Sequence, residues 1–372
     1  MKKALVIRAD ASTQIGIGHV MRCLALAQGW QDVEGYTTFL MAKVTPALED
    51  RLCSEGMEVM HLSCTPGGAD DAIRTANLAR QTGAPWVVVD GYHFGADYQR
   101  IIKDANLCLL FIDDNGHSDR YYADIILNQN IYAHESLYLN KEPYTQLLLG
   151  TRYVLLRHEF LKWQGWKRSI PQVAQKVLVT LGGGDPDNVT LKVIRALNKV
   201  NISGLEVKVI VGTSNPHFES LKNAMLSACP VESQEAIHTG APCSMDILKN
   251  VENIPKLMSW ADVAVSAGGS TCWELAFMGL PNVVMVLADN QKDIAEGLKK
   301  EGIVENMGWH EQVSTGQLSE TLSSLIQFSE RRHHMSQIGE QLVDGMGADR
   351  VAQEIKVYSG MEGPEDADSV FG

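Results

Sequence analysis

The sequence predicts an α/β protein in which two doubly wound parallel sheets, in successive domains, face each other across a cleft. Three observations carry that prediction. Short apolar runs alternate with longer amphipathic stretches, the pattern of buried parallel strands joined by crossover helices. The alternation stops once, near the middle of the chain, and then begins again. The length of 372 residues, at ~150 residues per domain, calls for two domains rather than one.

The strands follow in order. Residues 4–8, 37–42, 86–90 and 108–113 are short, apolar and followed by turn residues or a helical period, and they form the first series. Residues 176–181, 205–211, 261–266 and 282–287 form the second. Between the two, residues 157–175 carry Trp163, Gly165, Trp166 and Pro171 with no clean period, which sets the domain boundary near residue 165. The chain then divides into a first domain over 1–165, a second over 166–350 and a C-terminal segment over 351–372. From Gly360 that segment is acidic and contains Gly and Pro, the composition of a disordered tail.

Composition removes several classes of function. Apolar residues make up 45% of the chain, enough for a sizeable core. There are 32 basic and 45 acidic residues, a net charge of -13, with no basic stripe, which argues against a nucleic-acid partner. The longest basic cluster, Arg331-Arg332-His333-His334, is expected on a solvated helix face. No apolar run reaches the ~18 residues of a membrane span, and Arg8 and Asp10 break the apolar start, so neither a membrane partner nor a secretory signal is expected. Seven cysteines (23, 53, 64, 108, 229, 243 and 272) stand singly, as in a reducing compartment, and the expected location is the cytoplasm.

Three glycine loops carry the chemistry. The first runs from Arg8 through Asp10, Ser12, Gly16 and Gly18 to His19, Arg22 and Cys23, and enters a helix whose apolar face includes Val20, Cys23, Leu24 and Ala27. A dinucleotide fingerprint is excluded, because Met21 stands at the third glycine position and the following strand does not end in an acidic residue. His19 opens the helix amid Arg8, Asp10, Ser12 and Arg22. There the helix dipole favours a neutral imidazole, as a general base requires; the plainer reading is a histidine bonded to a nearby carbonyl. The second loop, Ser266-Ala-Gly268-Gly269-Ser270-Thr271, sits between a strand and a helix, where free N–H groups attract a phosphate. Thr271-x-x-Glu274 fits a helix capping box equally well. The third loop, Gly182-Gly183-Gly184-Asp185-Pro186, either approaches a diphosphate or turns the chain before a helix near residues 187–188.

Taken together these loops resemble the UDP-sugar hydrolases of pseudaminic acid biosynthesis, which release 2,4-diacetamido-2,4,6-trideoxy-β-L-altrose. The resemblance rests on Arg8-x-Asp10, Gly16-x-Gly18-His19-x-x-Arg22-Cys23-Leu24, Val89-Asp90-Gly-Tyr92, Phe111-Ile-Asp113-Asp114, Leu127-Asn128-Gln129 and Leu156-Arg157-x-Glu159-Phe160. In the second domain it rests on Gly182-Gly183-Gly184-Asp185 and on Ser266 to Glu274, and it spans about residues 1–345. The Gly-Gly-Ser/Thr…Glu pattern is shared with glycosyltransferases of the GT-B fold, two Rossmann-type domains about a cleft. The resemblance implies His19 as the base that activates water. It implies a substrate set of Arg8, Asp10, Gly18, Arg22 and Tyr92 from the first domain, with Gly183, Gly269, Ser270 and Thr271 around the diphosphate. Glu274 would hold the ribose hydroxyls, and the segment with Asn253 and Ile254 would read the uracil edge. Asp113 and Asp114 are expected to be turn or cap residues rather than a metal pair, and the resemblance implies no metal and no cofactor. The expected reaction is hydrolysis of a UDP-linked diacetamido-trideoxy-hexose at C1 with inversion. The rivals are a GT-B glycosyltransferase that uses an acceptor hydroxyl, a hydrolase of a related nucleotide-linked diacetamido sugar, and a non-catalytic nucleotide-sugar module.

Overall fold

The computed structural model describes residues 3–12, 15–183, 185–212, 215–228, 244–249, 251 and 253–360. The first sheet contains β1 (Lys3–Ala9), β2 (Gly35–Met41), β3 (Glu58–His61), β4 (Trp86–Asp90), β5 (Cys108–Ile112), β6 (Ile125–Asn128) and β7 (Gln146–Leu149), in the order β3-β2-β1-β4-β5-β6-β7. The second contains β8 (Lys176–Thr180), β9 (Glu206–Ile210), β10 (Ser244–Leu248), β11 (Val263–Ala267), β12 (Asn282–Val286) and β13 (Val304–Trp309), in the order β10-β9-β8-β11-β12-β13. Every pairing is parallel. These are the two doubly wound sheets of the prediction.

All eight expected strands form, and five more join them. The central ones read clearly because both faces are covered: every residue of β4 is buried, and so is every residue of β12. The added strands lie toward the sheet edges. Edge strand β3, Glu-Val-Met-His, is largely exposed and short, so it shows neither an apolar run nor a strict alternation. In each sheet the order in which strands are added reverses between two adjacent parallel strands, β1 and β4 in the first and β8 and β11 in the second. Ligands bind at the carboxyl ends of strands at such switch points.

The helix Gly18–Asp32 is buried on more than the expected face, with Val20, Cys23, Leu24 and Ala27 inside together with Arg22, Gln28 and Trp30. The sheet covers one side. The last helix, Gly347–Tyr358, returns to cover the other, so closely that a Cβ on Gly29 would stand 3.1 Å from the Ala348 Cβ. Trp86 Nε1 donates to Ser359 Oγ at 2.6 Å, Gln146 Nε2 to Glu354 Oε2 at 2.8 Å and Tyr358 OH to Asp124 Oδ1 at 2.9 Å. This helix spans the sequence division at 350 and packs as part of the first domain's core. The acidic tail beyond Gly360 lies outside the described residues.

The basic cluster at 331–334 is not uniformly solvated. Arg332 is fully buried, and its Nη2 donates to the carbonyls of Pro171, Gln172 and Ile326. Its neighbours remain on the surface, Arg331 against Glu305. Arg168, on the segment entering the second domain, donates to the carbonyls of Met258, Ala261 and Met278. It thereby pins the ends of the helices Ile254–Trp260 and Thr271–Phe277, which flank the second-domain site. No helix among the described residues is long and apolar enough to cross a membrane.

Candidate active site

Both switch points open into one cleft of about 460 Å³ between the domains. Contacts across it are close. A Cβ on Gly18 would stand 3.5 Å from Ser270 Oγ, and a Cβ on Gly297 would collide with the Ile131 side chain. Tyr92 of the first domain accepts a hydrogen bond from Asn290 Nδ2 of the second at 3.1 Å.

On the first-domain wall, His19 follows the end of β1 and Asp90 ends β4. His19 Nδ1 lies 2.7 Å from Asp90 Oδ1. A carboxylate only accepts, so Nδ1 carries a proton toward Asp90 and the ring's other nitrogen, Nε2, is the one left for a ligand or water. Arg22 Nη2 donates to the same oxygen at 2.7 Å and Nε to Asp90 Oδ2 at 2.6 Å. On its other side Arg22 Nη1 reaches Asp114 Oδ1 at 2.7 Å. Asp114, which follows the end of β5, also accepts from Asn130 Nδ2 at 2.7 Å and from Tyr92 OH at 2.8 Å. The Tyr92 ring stands edge-on to His19, with centroids 4.9 Å apart.

The electrostatics follow from burial and pairing. Burial opposes the charge on Asp90, yet Arg22 and His19 hold its carboxyl well below the usual carboxylate range. Burial acts likewise on Asp114, and Arg22 again overcomes it. Burial would pull the Arg22 guanidinium down, but Asp114 and Asp90 raise it well above its ordinary value. Burial and the Asp114 charge push the Tyr92 phenol up, so it stays protonated as a donor.

On the second-domain wall, β11 ends at Ala267 and the helix Thr271–Phe277 begins four residues later. A Cβ on Gly268 would stand 3.0 Å from the Gln291 carbonyl oxygen, whereas Gly269 faces open space. The capping box does not form. Ser270 at the cap position makes no side-chain cap bond, and the Glu274 carboxylate turns to Arg157 Nη1 at 2.8 Å. Burial raises the Glu274 carboxyl above its ordinary value, with Glu159 adding to burial and Arg157 opposing it. In the third loop Gly182 has φ +92°, Gly183 lines the cleft, and the Gly183 carbonyl lies so near Gly212 that no side chain fits there. Asp185 accepts from Val189 N at 2.8 Å and Thr190 N at 2.9 Å, so it caps the helix Val189–Leu197, which starts slightly later than expected.

The structure brings His19, Gly18, Arg22, Tyr92, Gly183, Ile254, Gly269, Ser270, Thr271 and Glu274 to one cleft. Three expected residues are elsewhere. Arg8 is fully buried, with Nε on Asp71 at 2.9 Å and Nη2 against Asp10 at 2.8 Å, so its charge is spent inside the first domain. Asp10 accepts from Ala42 N at 2.7 Å and Lys43 N at 2.9 Å and likewise stands off the cleft wall. Asn253 is exposed and caps the helix Ile254–Trp260 through Lys256 N at 3.0 Å. Glu252 beside it, and Gly184 in the third loop, lie outside the described residues. Asp113 is the turn residue expected, accepting from Asn115 N at 2.8 Å and Gly116 N at 3.0 Å. Asp114 is not; it belongs to the site. Among the described residues no group of three or more His, Cys, Asp or Glu is arranged to hold a metal. From sequence alone Asp90 and Arg157 receive no site role, although both stand in the motifs that carry the resemblance; Asp114 reads as a turn or cap residue, and Asn130 and Asn290 are not singled out. The two acids end predicted strands at the carboxyl side, which was the available signal; Asn290 has none.

Two parallel-sheet domains with their switch points opposed across a cleft define the GT-B class. MurG of Acinetobacter baumannii superposes with a TM-score of 0.62 at 17% identity, covering 95% of this chain and 99% of that one. A structure of Anabaena HepE in complex with UDP and glucose superposes with a TM-score of 0.59 at 12% identity, covering 96% and 100%. Residues 177–348 match the family model for the glycosyltransferase family 28 C-terminal domain. In sequence the chain is 25% identical over 300 residues to the UDP-2,4-diacetamido-2,4,6-trideoxy-beta-L-altropyranose hydrolase of Campylobacter jejuni, covering 80% of this chain and 97% of that protein. It is 25% identical over 244 residues to the spore coat polysaccharide biosynthesis protein SpsG of Bacillus subtilis, covering 65% and 67%. An uncharacterized protein of Methanocaldococcus jannaschii is 25% identical over 297 residues; this chain spans 79% of its own length there but only 57% of that protein. The resemblance to the pseudaminic acid UDP-sugar hydrolases, and the GT-B fold that goes with it, therefore hold well beyond the motifs.

Proposed function

We propose that the chain is a metal-independent hydrolase that removes UDP from UDP-2,4-diacetamido-2,4,6-trideoxy-β-L-altrose by attack of water at the anomeric carbon, with inversion. The observation that carries this is the His19–Asp90 pair at the first switch point, facing the Gly269-Ser270 loop of the second. In this reading a water donates to His19 Nε2 and its oxygen attacks C1 as the C1–O bond to the diphosphate breaks. The proton passes to Nε2, and Asp90 stabilises the imidazolium through Nδ1. The diphosphate leaves against the N–H groups of residues 269–271, which need no rearrangement to receive charge, whereas the Gly268 N–H is already held by the Met285 carbonyl. Ile254 flanks the base, and Glu274 accepts from the ribose hydroxyls.

The family match over residues 177–348 favours a second reading, a glycosyltransferase that uses the same cradle with an acceptor hydroxyl in place of water. Turnover in oxygen-18 water separates the two. Hydrolysis at C1 puts the label in the free sugar, leaves UDP unlabelled and gives first product of opposite anomeric configuration, visible by NMR before mutarotation. Label in UDP, or net retention, would sink the mechanism; turnover only after an acceptor is supplied would favour the transferase.

Glu274→Ala is expected to weaken UDP binding by about 1.5–3 kcal/mol, the value of a hydrogen bond to a charged group, with little change in melting temperature. Calorimetric titration with UDP measures it. An unchanged affinity would remove Glu274 from the nucleotide site.

A further inference from the structure

Four side chains of alternating charge run along one wall of the cleft and join three parts of the molecule. Arg51 belongs to the first-domain helix Pro46–Ser54, Arg157 and Glu159 to the segment connecting the domains, and Glu274 to the second-domain helix. All four line the cavity. Arg51 Nη2 lies 3.3 Å from Glu159 Oε2, Arg157 Nε donates to Glu159 Oε1 at 2.8 Å, and Arg157 Nη1 lies 2.8 Å from Glu274 Oε1. Arg157 is only 8% exposed and rests over the Phe160 ring, 5.2 Å from its centroid. It is therefore fixed by packing and by Glu159 before it meets Glu274.

A carboxylate accepts from a pair of hydroxyls most strongly when ionised, since protonation turns one oxygen into a donor, and a buried carboxyl tends to take up a proton. Glu274 sits in that conflict. We propose that Arg157 is a positioning residue for nucleotide binding: through Nη1 it fixes the Glu274 side chain on the cleft wall, while Glu159 and Arg51 tie that arrangement to the first domain. This rests on the reading of Glu274 as the ribose ligand. The charged or titratable groups that face Glu274 are Arg157 and Glu159 from the connecting segment and Cys272 from its own helix. Arg157 is the cation among them, and Glu159 pushes the other way. Without Arg157, burial and Glu159 act on Glu274 unopposed and its carboxyl moves further up. Hydroxyl recognition is then weakened where Glu274 is protonated and regained as pH rises through the new value.

The test is UDP affinity of the full chain, by calorimetry, across neutral to alkaline pH. Each variant is expressed as a ratio to the parent at the same pH, which cancels the titration of the UDP phosphate itself. Arg157→Met is expected to bind about tenfold to a hundredfold more weakly at neutral pH and to recover toward the parent in alkaline buffer. Arg157→Lys, which keeps the charge, restores most of the neutral-pH affinity. Arg157→Met with Glu159→Gln removes the stray carboxylate, guards against misfolding, and keeps a milder form of the same pH dependence. A loss in Arg157→Met that is equal at every pH, or no loss at all, overturns the proposal. Glu274→Gln separates this from the underlying reading. If Glu274→Gln binds UDP like the parent, the ribose assignment itself fails. If it binds weakly while Arg157→Met shows no pH dependence, only the role of Arg157 fails.

Discussion

Replacing His19 with Ala is expected to lower kcat by ~10²–10⁴ with little change in KM, because proton abstraction from water occurs only in the transition state. The structure makes this a clean experiment. His19 caps nothing, since the helix start at Gly18 has no side-chain cap bond, and Asp90 keeps both of its bonds from Arg22 when the imidazole is gone. The fold should therefore survive, which a thermal melt checks. Asp90→Asn should reproduce a large part of the loss without touching the imidazole, because an amide can offer N–H to Nδ1 and so favour the wrong tautomer. A His19→Ala rate within a few-fold of the parent would remove the histidine from the chemistry. A large KM rise at constant kcat would make it a binding residue instead.

How much of this site was legible depends on the kind of signal each residue leaves. Backbone devices read well. Gly18 opens a helix that follows a strand, Gly183 and Gly269 lie between a strand and a helix, and a residue without a side chain there leaves the backbone open to the cleft. Central strands read well too, because burial on both faces leaves a continuous apolar run such as Trp86-Val-Val-Val89. Polar side chains read poorly, because their roles depend on partners far along the chain. Arg8 and Arg22 looked alike beside His19. One faces Asp71 and is spent in the interior; the other faces Asp90 and Asp114 and holds the first-domain wall of the cleft. The choice between them is made by separations of 63, 68 and 92 residues, which no local pattern records. Glu274 shows the same limit. Its spacing from Thr271 fits a capping box, and only the position of Arg157, brought in from the connecting segment, turns it away.

The largest effect on stability is expected at Arg22. Its guanidinium bridges two carboxylates, Asp90 at no exposure and Asp114 at 7%, and removing it leaves both charges buried without their cation. Arg22→Met should destabilise the fold by about 3–5 kcal/mol at neutral pH, the usual cost of breaking one side of a buried ion pair. The loss should depend on pH in a definite direction. In the parent both carboxyls lie below their ordinary value because Arg22 outweighs burial, so their contribution is present above the unfolded pKa of about 3.9 and fades as pH falls through the folded values. In the variant His19 still opposes burial, but burial together with the repulsion of each carboxylate by the other outweighs it. Their folded values rise above the unfolded one, so protonation now favours the folded state and stability is lost as pH increases. The gap in melting temperature between parent and variant should therefore be widest at neutral pH and narrow in mildly acidic buffer. Arg22→Lys should recover only part of it, since a single ammonium cannot donate to both carboxylates in the same fork. A gap that stays constant across that range would mean that Arg22 stabilises the fold through packing of its methylene stem rather than through charge.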